Sequence, residues 1–228
     1  NANPGDTIEV GTGTFNESVT ITTDNLTLEA ADGAEPIVTG QNSVAIQTEA
    51  DDIEVSGLII ENPTGDRGIR ATNTANNVLI QNNTIRNVNT DNDADQARGI
   101  IVFDSNFDAA DGLEIRNNTV KNIEGASADD EQVIAIQVFE TKNDNGSVKN
   151  VVVDGNTVTD ILDTRSTVGI DFNGNIEGDI TDNNISDLNT EGNPGNVDFG
   201  YTSADGFDND PDDGAGFTDG IRLSAGGD

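Results

Sequence analysis

Short runs of alternating apolar and polar residues follow one another along the chain, and a longer pattern returns four times among them. In each copy an apolar residue precedes an Asn by three positions, and further apolar residues follow that Asn by two and by five. The first copy runs from Ile80 to Val88. Alternation with a period of two predicts β-strands, and no segment carries the i, i+3, i+4 apolar stripe of a helix.

The repeated asparagines are separated by unequal distances. They are Asn83, Asn118, Asn156 and Asn183, so the intervals are 35, 38 and 27 residues. A constant motif with spacers of varying length is typical of a solenoid, in which each coil buries its apolar side chains against the next. Asn also tolerates the left-handed backbone of a sharp corner. We therefore predict a ladder in which each of the four asparagines bonds to the same residue one coil above.

A second series of strands begins with Gly-Ile or an equivalent pair, as in Gly68-Ile69 and Gly99-Ile100. A Phe follows three of these strands, and we predict an aromatic stack in the core made of Phe103, Phe139 and Phe172. At about 25 residues per coil, the 228 residues make roughly nine coils. The spacers between strands are acidic insertions, of which the longest covers 189–219.

The segment from Asn3 to Ile21, which contains Asn-Pro-Gly-Asp-Thr-Ile and a Gly-rich turn, resembles the first coil of right-handed parallel β-helix proteins. That group includes pectate lyase-like and NosD-like chains. The resemblance implies an all-β fold, a single right-handed parallel β-helix (β-solenoid) over residues 1–228. Solenoids need polar caps at both ends. Because the sequence shows none, we expect residues 1–228 to be a section of a longer chain, or to pack on neighbours at their ends.

The balance of acidic and basic residues indicates which environments and partners suit the chain. The chain carries 43 acidic and 10 basic residues, a net charge of −33, yet its 33% hydrophobic residues lie in regular strands, so we predict a folded chain. The charge argues against nucleic acid and anionic membranes as partners, since both require Lys and Arg. Salt shortens the range of carboxylate repulsion to about 3 Å at 1 M. The chain is similar to haloarchaeal β-helix surface proteins, and we predict an extracellular or cell-surface location.

One candidate metal site lies in the 189–219 insertion. Asp208, Asp210, Asp212 and Asp219 occupy positions 1, 3, 5 and 12 of a segment similar to an EF-hand calcium loop. The segment departs from that pattern at position 6, where Asp213 replaces Gly, and a solvated acidic loop is the alternative. A copper site is excluded because the chain has no His, Met or Cys ligand.

The sequence contains only part of the residue sets that the candidate enzyme families use for catalysis. Asn89-Thr90-Asp91 and Asp129-Asp130 match acidic elements of polygalacturonases, but the His-containing and Arg-Ile-Lys segments of that family are absent. A pectate lyase-like elimination needs calcium-binding Asp residues and an Arg or Lys base, and no cluster of basic residues is evident along the sequence.

Six N-glycosylation sequons occur, and such acceptors are typical of exported proteins. Asn16, Asn25 and Asn145 are the better candidates, because the other three lie in the repeated corner, where a glycan competes with coil packing. These others are Asn82, Asn117 and Asn184.

These observations predict a non-enzymatic structural or adhesive protein of a halophile, with a role as a subunit of a filament or surface layer among the predicted forms. Its predicted partners are further copies of itself or other surface proteins, joined by end-to-end or strand-edge contacts, and glycans. Two alternatives stay open. One is a polysaccharide-degrading lyase or glycoside hydrolase of the pectate lyase-like superfold, and the other is a glycan-binding viral spike.

Overall fold

The computed structural model describes residues 2–72, 76–89, 96–104, 112–125, 132–140, 148–163, 166–190, 193–194, 201–202 and 217–224. Within them, the strands form three sheets in which neighbouring strands are almost all parallel. Across these residues no helix is long and apolar enough to cross a lipid bilayer.

The strands of each sheet come from successive turns of the chain. In stacking order, the first sheet contains β1 (Thr7–Val10), β4 (Leu26–Ala30), β7 (Ile53–Ser56), β10 (Leu79–Gln81), β13 (Glu114–Arg116), β16 (Val148–Asp154) and β19 (Ile176–Thr181). The second contains β2 (Gly13–Asn16), β5 (Pro36–Thr39), β8 (Ile59–Asn62), β11 (Thr84–Asn89), β14 (Thr119–Glu124), β17 (Thr157–Asp163), β20 (Asn184–Ile185), β21 (Leu188–Thr190) and β22 (Asn193–Pro194). The third contains β3 (Val19–Ile21), β6 (Val44–Thr48), β9 (Arg67–Thr72), β12 (Arg98–Asp104), β15 (Gln132–Glu140), β18 (Ser166–Asn173), β24 (Phe217–Ser224) and β23 (Tyr201–Thr202).

Each coil contributes one strand to every sheet in turn, which is the architecture of a parallel β-helix, so the predicted fold class is confirmed. The seven strands of the first sheet mark seven coils in the described residues, fewer than the roughly nine expected. The difference arises because later coils are longer. Glu54 pairs with Leu79, 25 residues on, whereas Leu79 pairs with Glu114, 35 residues on.

The corner between the first and second sheets is a single left-handed residue. Asn82, Asn117, Gly155 and Asp182 hold φ values of 56°, 53°, 66° and 52°. Each stands directly before a repeated asparagine, so the prediction that the repeated asparagines themselves are left-handed is wrong. The preceding residue makes the turn, and in three of the coils this leaves the following asparagine side chain buried (Asn83, Asn118 and Asn156).

The interior is filled by stacked Ile, Val and Leu side chains, with small residues where two sheets approach closely. A Cβ on Gly68 would lie 2.5 Å from Ile85 Cγ2, and one on Gly99 would lie 2.4 Å from Val120 Cγ1. Both distances are shorter than real Cβ contacts, so only glycine fits. The Gly-Ile pairs of the sequence therefore mark the close approach of the third sheet to the second.

The predicted aromatic stack does not form. Phe139 pairs with Asn173, while Phe172 pairs with Val138, one position away. A shift of one residue places a strand side chain on the opposite face of its sheet. Phe172 accordingly lies in the core at 6% exposure, whereas Phe139 is half-buried and lines a surface cavity. Phe103 pairs with Phe139 along the backbone.

Candidate binding groove on the third sheet

The third sheet carries a cavity of about 390 Å³ on its outer face. Four arginines line it, Arg67, Arg70, Arg98 and Arg222, in a chain that has only 10 basic residues. Four amide side chains complete its polar lining, those of Gln96, Gln132, Gln137 and Asn173, and Ile101 and Phe139 supply apolar surface. We call this cavity the arginine groove.

Parallel stacking brings these residues together from distant parts of the chain. The pairing of successive strands aligns one residue from each coil, and one such row runs Gln47, Arg70, Ile101, Gln137, Asp171 and Arg222. A neighbouring pair aligns Arg67 with Arg98. The groove therefore follows from coil register and not from proximity along the sequence.

Two of the arginines are fixed in the groove wall by hydrogen bonds. Arg98 donates from Nε to Gln137 Oε1 at 2.8 Å, and further bonds go to the Gln132 carbonyl and to Gln96 Oε1. Gln137 Nε2 donates to Asp171 Oδ2 at 2.7 Å. Arg222 donates from Nε to Asp171 Oδ1 at 2.7 Å and from a terminal nitrogen to Gln132 Oε1 at 2.8 Å. Both guanidinium groups are held by a chain of polar contacts across coils.

The other two arginines come from a single strand, β9. Arg67 forms an ion pair with the buried Asp66, and a quarter of its side chain is exposed. Its Nε is buried and has no hydrogen-bond partner in the part of the chain that the structure describes. Burial lowers the pKa of Arg70, and the positive charge of Arg67 lowers it further, while Asp66 and Glu49 act in the opposite sense.

The groove is rich in donors. An Arg has no acceptor, and each Gln whose oxygen accepts from an arginine keeps its NH₂ group as a donor. Gln96 and Gln132 are in that state. Asp171 is fully buried, and its two oxygens accept from Gln137 and Arg222. The arrangement suits a ligand that brings acceptors or negative charge, and Asp171 is poorly placed to move a proton.

The repeated asparagines lie at the opposite side of the coil and bond to one another. Asn83 Nδ2 donates to Asn118 Oδ1 at 3.2 Å, Asn118 Nδ2 to Asn156 Oδ1 at 3.0 Å, and Asn156 Nδ2 to Asn183 Oδ1 at 2.9 Å. Each oxygen also accepts the backbone N–H of the asparagine in the preceding coil. These residues hold coils together and take no part in the groove.

The remaining site predictions fall on other parts of the chain. Asp208, Asp210, Asp212, Asn145, Asp91, Asp129 and Asp130 lie outside the described residues. Asp219 is in β24, where its backbone pairs with Val168. Asn16 and Asn25 are exposed, and Asn25 has a φ of 55°. In the described ranges no group of three or more acidic side chains is arranged to hold a metal ion.

The sequence prediction missed the arginine groove, and the expectation of no basic cluster is wrong. A signal was present, because all four arginines flank a leading Gly-Ile pair. They occur in Arg67-Gly68-Ile69-Arg70, Arg98-Gly99-Ile100 and Gly220-Ile221-Arg222. Since leading strands stack in one sheet, residues that flank them in the sequence lie near one another in the fold.

No known family model, curated protein or solved structure matches this chain. The fold and the groove are therefore the basis for functional inference.

Proposed function

We propose that this chain is a non-enzymatic, extracellular or cell-surface protein of a halophile, a rigid β-helix that binds a glycan through the arginine groove. One observation carries the proposal. A chain with a net charge of −33 places four of its 10 basic residues in one cavity on one sheet. Arginines that served only solubility would be spread over the surface. A binding site for acceptor-rich ligands instead requires them to lie together in one cavity.

The composition of the groove supports a sugar as the ligand. Its volume of about 390 Å³ falls in the range of about 300–1,000 Å³ that is usual for small-molecule sites. Amide and guanidinium donors suit ring hydroxyls and charged substituents, and the half-buried ring of Phe139 offers an apolar face for a pyranose. A glycan-binding viral spike would use the same chemistry.

The polar contacts favour binding over catalysis. General acid–base chemistry needs a group that can exchange a proton with the substrate. Asp171 is fully buried, and both of its oxygens are engaged by groove side chains. The arginines that are fixed by hydrogen bonds act as donors.

Binding of a panel of neutral and acidic oligosaccharides to the wild-type protein, measured in molar KCl, tests the proposal. We expect at least one glycan to bind and to be recovered intact. Phe139→Ala should weaken that binding by about 3- to 10-fold, because it removes the aromatic face. Leu162→Ala, at a 39% exposed side chain on the second sheet, is the matched control and should have no effect. Failure of every glycan to bind would overturn the proposal.

A polysaccharide lyase is the second candidate, and one observation favours it. Burial and Arg67 lower the pKa of Arg70, and a base for β-elimination must give up its proton. In that reaction a neutral Arg70 would take the proton α to a sugar carboxylate, a C=C bond would form as the glycosidic C–O bond breaks, and the departing oxygen would take a proton from solvent. Ultraviolet absorbance of the unsaturated product from an acidic polysaccharide would favour this candidate over simple binding.

The predicted assembly into filaments or layers is a separate part of the proposal. Light scattering and electron microscopy in molar salt, with and without a calcium chelator, test it. Dissociation on chelation would support the calcium prediction for Asp208, Asp210, Asp212 and Asp219.

A further inference from the structure

We infer that Arg67 and Arg70 form a subsite for an oxyanion, the carboxylate or sulfate group of an anionic ligand. The inference rests on the proposed function, since it assigns one part of the arginine groove to one part of the ligand. It divides the four arginines into two that are buried in the groove wall, Arg98 and Arg222, and two that are partly exposed, Arg67 and Arg70.

Hydrogen bonds hold Arg98 and Arg222 in the groove wall. Arg98 bonds to Gln137, Gln96 and two backbone carbonyls, those of Ala97 and Gln132. Arg222 bonds to the carboxylate of Asp171 and to Gln132. Both are nearly inaccessible, with exposures of 3% and 6%. This burial leaves little of either guanidinium accessible to a ligand.

Arg67 differs from Arg98 and Arg222 in its exposure and in its hydrogen bonding. It is more exposed, and its Nε is buried without a hydrogen-bond partner in the described residues. A buried donor that lacks an acceptor is destabilising. Arg67 also lines the groove with a quarter of its side chain exposed, so its guanidinium can donate to an oxyanion alongside the ion pair with Asp66.

The neighbouring charge strengthens the same conclusion. Arg67 and Arg70 are three residues apart on β9 and line one cavity. Burial and then repulsion by Arg67 lower the pKa of Arg70, while Asp66 and Glu49 raise it. A bound anion relieves this repulsion. The site should therefore prefer a charged ligand over a neutral one of the same shape.

Calorimetric titration at constant KCl, with glucuronate, glucose 6-sulfate and glucose as probes, tests the inference. We expect both anionic probes to bind more tightly than glucose. Arg67→Gln and Arg70→Gln should each weaken the anionic probes by about tenfold or more, the value of one charge-assisted bond. The ratio of glucuronate to glucose 6-sulfate affinity identifies whether carboxylate or sulfate is the preferred group.

Arg86→Gln is the matched control, because it removes the same charge from a side chain on the second sheet, outside the groove. It should leave the anionic affinities within about twofold. Circular dichroism verifies that each variant is folded. For the wild-type protein alone, rising KCl should weaken glucuronate but not glucose.

Equal affinity for glucuronate and glucose would overturn the inference. So would a folded variant carrying both Arg67→Gln and Arg70→Gln that binds glucuronate as the wild type does. A panel glycan that binds in a Phe139-dependent way while Arg67→Gln has no effect would overturn only the oxyanion subsite. If no probe and no panel glycan binds, the proposed function fails together with it.

Discussion

At the corner between the first and second sheets, each repeated asparagine bonds to the same residue in the next coil, whereas the arginines of the third sheet bond to side chains of several kinds. The asparagine row has one residue type in four successive coils, Asn83 to Asn183. The groove row changes from Gln to Arg, Ile, Gln, Asp and Arg. The asparagine side chains of the uniform row pair with one another, whereas the varied row places different polar groups side by side in the groove lining.

This contrast indicates how a solenoid can separate stability from binding. A row that repeats identically adds the same interface between each pair of coils. A row that varies cannot do so, and it creates a surface of specific shape and charge at one height on the rod. We expect substitutions to differ accordingly, with large effects on the free energy of unfolding at the ladder and small ones at Arg67 and Arg70, the arginines proposed to bind a ligand.

The largest effect should come from Asn118→Ala, which breaks the ladder in its middle. The Asn118 side chain accepts from the Asn83 backbone N–H and donates to the Ile80 carbonyl at 2.9 Å. The substitution leaves these buried groups without partners, so we expect the free energy of unfolding to fall by about 3 kcal/mol. Urea unfolding at fixed molar KCl measures the change.

Asn16→Ala provides the comparison for Asn118→Ala, because Asn16 is an exposed strand residue of the second sheet. It should change the free energy of unfolding by less than about 0.5 kcal/mol. Similar losses in the two variants would mean that the ladder contributes no more than an ordinary surface asparagine.

A smaller effect should follow from Gly99→Ala, which tests the close approach of the third sheet to the second. The new Cβ would lie 2.4 Å from Val120 Cγ1 and 2.6 Å from the Ala135 carbonyl oxygen. Overpacking of this kind costs about 1–3 kcal/mol. Gly11→Ala is the control, since a Cβ there has no neighbour within 4 Å. The same unfolding assay should show a loss for Gly99→Ala alone.

The sequence predicted features that repeat and missed features that do not. Period-two alternation and the spacing of the asparagines were enough to predict the fold, because the same pattern repeats in each coil. The described residues contain seven coils against the roughly nine expected, because some coils are longer than 25 residues. Phe172 was placed in a stack with Phe139 because counting from Gly-Ile ignores a one-residue difference in strand position.

The groove was harder to predict for a physical reason. Arg98 and Arg222 are 124 residues apart, and only the register of the intervening coils brings them to one cavity. Strand periodicity reports which residues face outward, but not which outward residues from distant coils lie side by side. The residues that flank each Gly-Ile pair indicate which side chains of different coils lie side by side. Composition alone did not suggest a basic groove, because the chain is so acidic.

The smallest expected change in stability belongs to Arg70→Met, and it bears most directly on the comparison. Burial and the charge of Arg67 oppose the charged state of Arg70 and outweigh the attraction of Asp66 and Glu49, so its pKa is lowered. Met keeps the aliphatic length and removes the charge. We therefore expect the free energy of unfolding to change by no more than about 0.5 kcal/mol, while glucuronate affinity falls about tenfold. Urea unfolding and calorimetry on one preparation measure both. A loss of stability as large as that of Asn118→Ala would show that Arg70 holds the coils together as the asparagines do. The proposed distinction between residues that stabilise the coils and residues that bind a ligand would then be wrong for Arg70.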